Sequence, residues 1–240
     1  MIEKIFKDLL DYFILAKNKT HSLSNQDLFV LYFTNYAEKG FFVEIGAGDG
    51  VKISNTYLLE KLNWQGIIVD PVNYNSENIK LRKCIKDNRA VYSKSGLKLP
   101  FVVVNSIADQ AFQAENFSGL LDHFRDDFKT LPNKIINVET VSLNDLLNYY
   151  NAPNKIDYIS IDTEGSEFEI ISNFDLDKYD VEIFTIEHNH LNFRKDIIKL
   201  LNDKGYFRMP NDTQRGFVAG YEDWFIKNNN PVLKKLLSKF

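Results

Sequence analysis

The sequence contains a single cysteine, Cys84, among its 240 residues. One cysteine cannot form an internal disulfide, and it leaves no cysteine pair for a zinc site. This scarcity excludes the disulfide-stapled folds and the cysteine-based zinc modules. It predicts a protein of the reducing cytoplasm.

Glycine and proline are also scarce, at 11 and 6 residues. Disordered and low-complexity chains are enriched in these residues, so no long flexible linker is expected. With 44% hydrophobic and 26% charged residues, the chain has the composition of a globular protein. We predict one domain over residues 1–240.

The chain has no excess of positive charge and no long apolar run. Lys and Arg number 29 against 33 Asp and Glu, so the formal net charge is −4. Proteins that bind nucleic acid gain most of their non-specific affinity from clustered positive charge, and no nucleic-acid partner is expected. No run reaches the roughly 18 apolar residues of a membrane span, and the first residues lack the features of a signal peptide.

The chain does contain an alternation of short apolar runs with helical segments. The runs are FFVEI, GIIVD, IDYISI and VEIFTI, at 41–45, 66–70, 156–161 and 181–186. Nearly continuous apolar runs of this length are typical of strands that are covered on both faces. With helical segments between them, such as residues 52–63 after the first run, they predict an α/β fold with a doubly wound, mainly parallel sheet.

Three further segments flank or interrupt this alternation. Residues 1–39 predict an N-terminal helical extension, and residues 231–240 a C-terminal amphipathic helix. The apolar stripes and lysines of these helices suit packing within the chain, a homodimer contact or peripheral attachment to the inner membrane face. Residues 105–134 predict an insertion that serves either as a lid over a sugar ring or as a small packed helix. Its side chains of interest are Phe112, Phe117, His123, Phe124, Arg125 and Phe128.

The residues that follow the first two runs suit a nucleotide-type ligand, because ligands of doubly wound sheets bind beyond the carboxyl ends of the strands. GAGDG, at 46–50, follows the first run, and its missing side chains let the backbone turn sharply and approach a ligand. Asp70 ends the second run, where an acid accepts hydrogen bonds from ribose hydroxyls. A nicotinamide dinucleotide would call for G-x-G-x-x-G, but Val51 stands at the last glycine position.

The third and fourth runs are followed by acids and histidines. Asp162 and Glu164 come after IDYISI, and Glu187, His188 and His190 come after VEIFTI. Each residue also has an ordinary structural interpretation, such as a helix cap for Asp162. Oxygen and imidazole ligands suit Mg²⁺ or Mn²⁺, so a divalent ion bound by the first four of these residues is one hypothesis.

Four stretches resemble the FkbM-type S-adenosylmethionine-dependent methyltransferases. They are SNQDLFV, GFFVEIGAGDGVKISNTYLLEKLNWQGIIVDP, IDYISIDTEGSEFEII and IEHNH, and the similarity extends over roughly residues 22–226. The resemblance implies the seven-stranded, Rossmann-like sheet of class I methyltransferases and S-adenosylmethionine as cofactor. It also implies a cofactor pocket formed by Glu44, Gly46, Gly48, Asp49, Ser54, Asn55, Asp70 and Asp162. The implied acceptor is a sugar hydroxyl of a surface glycan or of a glycosylated metabolite.

Methyl transfer to a hydroxyl calls for a base, because a protonated hydroxyl is a poor nucleophile. His188 is the preferred base, since an imidazole with a pKa of about 6.5 is neutral and accepting near pH 7. Asp162 or Glu187 would orient its ring. Two alternatives stay open at this point: a nicotinamide-dependent oxidoreductase, and a glycan- or cofactor-binding module without turnover.

Overall fold

A computed structural model describes residues 20–72, 76–104, 117–126, 130–210 and 220–238. Seven strands form one large sheet in the order β10-β11-β9-β8-β1-β2-β3. Its strands are β1 (Phe41–Ile45), β2 (Gln65–Val69), β3 (Ile85–Asp87), β8 (Lys155–Ile161), β9 (Asp180–Glu187), β10 (Tyr206–Arg208) and β11 (Glu222–Lys227). The four predicted apolar runs are thus confirmed as strands.

The large sheet is mixed rather than purely parallel. β3, β2, β1, β8 and β9 pair in parallel, whereas β11 runs antiparallel to both of its neighbours, β9 and β10. A two-stranded reversal such as β10 to β11 needs only a direct connection, whereas parallel neighbours need a crossover. The expectation of a mainly parallel sheet of seven strands therefore needs this correction at one edge.

Helices cover both faces of the large sheet. They are α1 (Gln26–Phe33), α2 (Tyr57–Lys61), α3 (Glu77–Leu81), α4 (Leu143–Tyr149), α5 (Glu167–Ser172), α6 (Arg194–Asp203) and α7 (Pro231–Leu237). Successive strand residues point to opposite faces. In β1, Val43 and Ile45 pack into the core beneath α4, α5 and α6, whereas Phe42 packs into the core beneath α1, α2, α3 and α7. This arrangement is the doubly wound fold.

The described residues between 90 and 142 contribute a second sheet, whose pairing the sequence did not predict. It has the order β4-β7-β5-β6, with strands β4 (Ala90–Tyr92), β5 (Lys98–Val104), β6 (Gly119–Leu120) and β7 (Asn133–Ser142). β5 and β7 pair antiparallel over their whole lengths, from Lys98 opposite Glu139 to Val104 opposite Asn133. The predicted insertion at 105–134 includes β6 and the first two residues of β7, and its residues 105–116 and 127–129 lie outside the described residues.

The terminal segments are described only in part. The first half of the predicted N-terminal extension, residues 1–19, lies outside the described residues, and α1 falls within the remainder. In α7 the apolar residues Leu233 and Leu236 are buried in the core. The stripe that suited a membrane or a dimer thus has a partner within the chain. Across the described residues, every helix is too short or too polar to cross a bilayer.

Candidate active site

The carboxyl ends of four neighbouring strands bring the sequence-predicted residues to one edge of the large sheet. Ile45 at the end of β1 lies opposite Val69 of β2 and Ile161 of β8, and Ile161 lies opposite Ile186 of β9. The residues that end or follow these strands are Gly46, Asp70, Asp162 and Glu187. The edge therefore combines a glycine turn with three acids.

The first glycine of the turn is required by close packing. Gly46 has φ +80°, and a Cβ at this position would lie 1.7 Å from the backbone oxygen of Asp162. Its N–H donates to the carbonyl of Val69 at 2.9 Å. Any side chain would therefore force β1 and β8 apart, which explains the glycine that follows FFVEI.

Asp70 binds the backbone of the glycine turn. Its Oδ2 accepts a hydrogen bond from the N–H of Gly48 at 3.0 Å, and its Oδ1 accepts one from the N–H of Val72 at 2.8 Å. Each carboxylate oxygen has a second lone pair. The partly exposed carboxylate therefore fixes the turn and still offers acceptor capacity to a ligand.

Three small cavities lie at this edge among the described residues. Cavity A, of about 70 Å³, is lined by Glu44, Gly46, Gly48, Asn55, Asp70 and Asp162 among others. Cavity B, of about 40 Å³, shares Gly46, Asp70, Phe101, Ser118 and Asp162 with cavity A. Cavity C, also of about 40 Å³, lies on the other side of Asp162, which lines all three cavities.

A larger hollow of about 750 Å³ lies at the opposite edge of the sheet, where Phe41, Gln65 and Ile85 begin their strands. Ligands of doubly wound sheets bind at the carboxyl ends of the strands. The described lining also lacks the convergent acids of the other edge. We therefore place the candidate site at cavities A to C.

Glu44 ties β1 to the loop that forms one wall of cavity A. It is 3% exposed, and it accepts hydrogen bonds from the Asn55 N–H at 2.6 Å, the Ser54 hydroxyl at 2.9 Å and the Thr56 hydroxyl at 2.6 Å. Burial raises its pKa, and the charge of Arg82, 3.6 Å away, acts in the opposite direction. Glu44 and Ser54 thus shape the wall, and Asn55 lines it.

Asp49 has a different environment from the one that the resemblance implied. Its carboxylate accepts hydrogen bonds from the N–H groups of Val51 and Lys52 and from the Asn78 amide, at 2.7–2.9 Å. It is not among the residues that line the three cavities. Asp49 therefore stabilises the loop after the glycine turn.

Asp162, Glu164 and Glu187, which we call the acid trio, converge beside cavity C. One oxygen of each lies within 4.8 Å of an oxygen of the others. Two unit charges about 5 Å apart repel by about 3 kcal/mol at an effective dielectric constant of about 20. Burial raises the pKa of Asp162 to about 6, although its side chain is open to the cleft. Burial and the charge of Asp162 raise the pKa values of Glu164 and Glu187 well above normal.

The D-x-E-G-x-E block folds so that its first glutamate joins the acid trio. Glu167 is 1% exposed, and its carboxylate accepts hydrogen bonds from the N–H groups of Thr163 at 2.8 Å and Gly165 at 3.1 Å. Glu164 lies between them with φ 58°, in the left-handed region that is unusual for a non-glycine residue. Glu167 thus supports the loop that presents Glu164.

Cavity C contains two polar residues to which the sequence analysis gave no role. Glu222 is buried opposite Glu187 on β11, and its Oε1 accepts a hydrogen bond from the Gln26 amide at 2.7 Å. Burial raises the pKa of Glu222 to about 8. Gln26 belongs to SNQDLFV, one of the four stretches that resemble the family. That resemblance was the one signal in the sequence that could have identified Gln26.

His188 is turned away from these cavities. It is 1% exposed, its Nδ1 accepts a hydrogen bond from the His190 N–H at 3.0 Å, and its Nε2 lies 3.6 Å from Asp223. Asp223 in turn accepts hydrogen bonds from Arg194 and Arg208. Burial lowers the pKa of His188 to about 4. The structure therefore does not group His188 with the acid trio, either as base or as fourth metal ligand.

The described part of the predicted lid packs on the second sheet. Phe124 is buried against Val102 and Val104, with Phe117 at the edge of the same cluster. The ring of His123 contacts Tyr92, whose hydroxyl lies 3.1 Å from its Nε2. The alternative interpretation of these aromatic residues, a buried face, applies to Phe124, whereas Phe112 and Phe128 lie outside the described residues.

The family described as "Methyltransferase FkbM domain" matches residues 44–208, more than half of the chain. The chain belongs to this family. It is therefore a methyltransferase by family, which confirms the resemblance drawn from the sequence. No curated protein sequence matches the chain significantly.

One solved structure similar to this FkbM domain is a precorrin-6y C5,15-methyltransferase from Geobacter metallireducens GS-15. The two are 14% identical, with a TM-score of 0.40, and the alignment covers 83% of this chain and 84% of the other. At this similarity, the description of the fold rests on the strand pairing above.

The sequence-predicted residues of the FkbM domain fall into two groups. Those on the cavity walls are Glu44, Gly46, Gly48, Asn55, Asp70, Asp162 and Glu187. Those that support the walls or lie behind them are Asp49, Ser54, Glu164 and His188.

Proposed function

We propose that the chain uses S-adenosylmethionine to methylate a hydroxyl oxygen of a carbohydrate or glycosylated small molecule, such as a surface glycan. The observation that carries the cofactor assignment is Asp70, a carboxylate at the end of β2 that faces cavities A and B beside the glycine turn. An acid at this place accepts hydrogen bonds from both hydroxyls of an unphosphorylated ribose. Family membership favours methyl transfer over the nicotinamide-dependent alternative.

The residues present fit this cofactor. The turn at Gly46 leaves no side chain between the backbone and the cavity, and the carboxylates of Glu44, Asp70 and Asp162 give the cleft a negative charge that suits a sulfonium cation. Typical ligand pockets measure about 300–1,000 Å³, far more than cavities A and B. Because Phe101 and Ser118 line both cavities, we expect these residues to move when the cofactor binds.

The position of Asp162 assigns it the central role in the reaction. When bound, the cofactor supplies an electrophilic methyl carbon, and the enzyme must place the acceptor hydroxyl in line with it. Such positioning contributes about 7–11 kcal/mol. Asp162 lines cavities A and B and also cavity C, a position that supports a role between the cofactor and the acceptor. We propose Asp162 as the group that accepts the hydroxyl proton, with Glu187 beside it, in place of His188.

Cavity C has the polar character that a sugar requires. Its walls carry the amide groups of Gln26 and Asn55, the carboxylates of Glu187 and Glu222, and the half-exposed ring of Tyr221. Planar polar side chains match the donor and acceptor pairs of hydroxyl groups, and an aromatic face packs on the apolar face of a sugar ring. These groups support a carbohydrate acceptor.

The cofactor assignment is tested by calorimetric titration with S-adenosylhomocysteine, beside NAD. We expect micromolar affinity for S-adenosylhomocysteine and no binding of NAD. Asp70→Asn should weaken binding at least tenfold, because a ribose hydroxyl loses its charged acceptor. Asp157→Asn is the matched control, since Asp157 also accepts a backbone N–H, that of Phe41, but lies at the amino end of the strands. Equal affinities of the two variants would refute the assignment.

The base assignment is tested by transfer of a labelled methyl group to a panel of glycans. Asp162→Asn should lower kcat by about 10²–10⁴-fold, the usual contribution of a general base. His188→Gln should lower thermal stability but keep kcat of the folded enzyme within about threefold. The opposite ranking of the two variants would restore His188 as base. Binding of S-adenosylhomocysteine without transfer to any acceptor would favour the non-catalytic module.

A further inference from the structure

We infer that the acid trio, together with the side-chain oxygen of Asn55, forms a binding site for one hard divalent cation of the Mg²⁺, Mn²⁺ or Ca²⁺ class. The first support is geometric. Oxygen ligands lie about 2.0–2.6 Å from such cations, so opposite ligands are about 4–5 Å apart. The acid trio presents three carboxylate oxygens within 4.8 Å of one another. The spacing therefore matches a shared ion.

The second support is an unpartnered acceptor beside the acid trio. Asn55 is 8% exposed and lines cavity C together with Asp162 and Glu187. Its Nδ2 donates to the hydroxyl of Ser160 at 2.9 Å, which fixes the amide, but its buried Oδ1 has no hydrogen-bond partner among the described residues. Buried polar atoms are nearly always satisfied. An amide oxygen is also a ligand that these cations accept.

The third support is a second unpartnered oxygen. The Oε2 atom of Glu187 is buried and has no hydrogen-bond partner in the described chain. Glu164, in contrast, is held by the amide of Asn189 at 3.2 Å, so its carboxylate is positioned before any ion arrives. Oxygens that are fixed in place but unsatisfied are what a preformed cation site offers.

The cation would complement the proposed function without replacing any part of it. Each acid offers one oxygen to the ion, so Asp162 keeps its second carboxylate oxygen, and Asp162 also lines cavities A and B. An acceptor hydroxyl in cavity C would lie beside a positive charge, which favours its deprotonation. This consequence rests on the proposed function, whereas binding of the ion itself does not.

The test is a titration of the full-length protein with Mn²⁺, followed by the electron paramagnetic resonance signal of the free ion. We expect one ion per chain. Glu164→Gln should weaken binding by about tenfold or more, and Mn²⁺ should raise the Tm of the wild type but not of this variant. Glu77→Gln is the control, because Glu77 is exposed on α3. Since Glu164→Gln removes a repelling charge, it should fold.

Asn55 is tested by a pair of variants. Asn55→Ala should weaken Mn²⁺ binding, and Asn55→Asp should restore it, since a carboxylate replaces the amide oxygen. Unsaturable binding, or equal affinity of wild type and Glu164→Gln, would overturn the metal site. Titration with S-adenosylhomocysteine in the presence of a chelator tests the cofactor separately, so either proposal can fail alone.

Discussion

Arg82 holds together the loop that forms the wall of cavity A, and replacing it by methionine is the sharpest test of this packing. The guanidinium is 2% exposed. It donates from Nε to Glu60 at 3.2 Å, from Nη1 to the carbonyl of Gly50 at 2.5 Å and from Nη2 to the hydroxyl of Thr56 at 2.9 Å. Methionine keeps an unbranched apolar stem but removes the charge and every donor.

The expected loss follows from the two acids that remain. Glu44 and Glu60 both pair with Arg82, and the side chain of Glu44 is 4% exposed. Removing one partner of a buried ion pair costs about 3–5 kcal/mol, because the other charge stays buried. Glu44 retains its three other hydrogen bonds, so we expect a loss near the lower limit, about 3 kcal/mol.

Urea unfolding measures this loss. Trp64 and Trp224 are buried, so their fluorescence reports the transition, and the midpoint should fall while the slope m stays constant. Adding Glu44→Gln to Arg82→Met should recover about 1–2 kcal/mol, since a neutral amide is less costly to bury unpaired than a carboxylate. A loss below about 1 kcal/mol, or no recovery in the double variant, would refute the view that Arg82 neutralises these acids.

Two further predictions concern the strand ends. Gly46→Ala should destabilise the fold by more than about 3 kcal/mol, because strain at positive φ adds to the backbone clash with Asp162; a Tm close to that of the wild type would contradict it. Burial of Asp87 opposes ionisation, but hydrogen bonds from Arg89 outweigh it and hold the pKa of Asp87 below its usual value. This contribution is present above the unfolded pKa of about 3.9 and is lost as the pH falls through the lower folded pKa. The stability gap between wild type and Asp87→Asn, measured by urea unfolding, should therefore be constant from pH 7 to 5 and shrink below pH 4, and a gap that widens on acidification would be contrary to this assignment.

The large sheet was predictable because its strands carry their own signal. FFVEI, IDYISI and VEIFTI are apolar on both faces, and the structure confirms them as Phe41–Ile45, Lys155–Ile161 and Asp180–Glu187. The helix after the glycine turn is shorter than its predicted range, 52–63, since it begins at Tyr57. Glu44 accounts for the difference, because its hydrogen bonds hold residues 54–56 in a loop.

The second sheet and Arg82 could not be predicted in this way. β5 and β7 pair through residues that lie from 29 positions apart, for Val104 and Asn133, to 41 positions apart, for Lys98 and Glu139, and neither strand alone reveals which partner it pairs with. Arg82 looks like any surface arginine after a helix until Glu44 and Glu60 are placed around it. Both depend on contacts between distant parts of the sequence.

The direction of the His188 side chain could in principle be predicted from the sequence. Consecutive residues of a strand point to opposite faces, so Glu187 and His188 cannot both face the cleft while β9 stays extended. The chemistry of the imidazole favours His188 as base, whereas this alternation does not. The structure places Glu187 on the wall of cavity C and His188 against Asp223.

The contact of Gly46 with the backbone of Asp162 also determines how the cleft can open. A Cβ on Gly46 would lie only 1.7 Å from the backbone oxygen of Asp162. The glycine turn and the end of β8 are therefore in direct contact, and we expect them to move as one rigid unit. This unit contains both the glycine turn and Asp162, which lines all three cavities. We therefore expect ligand entry and exit to depend on the remaining walls, which contain Phe101 and Ser118 at the second sheet and the separate segments of Leu23 and Tyr221. We expect the glycine turn and Asp162 to stay fixed, so the specificity of the site should depend on the walls that can move.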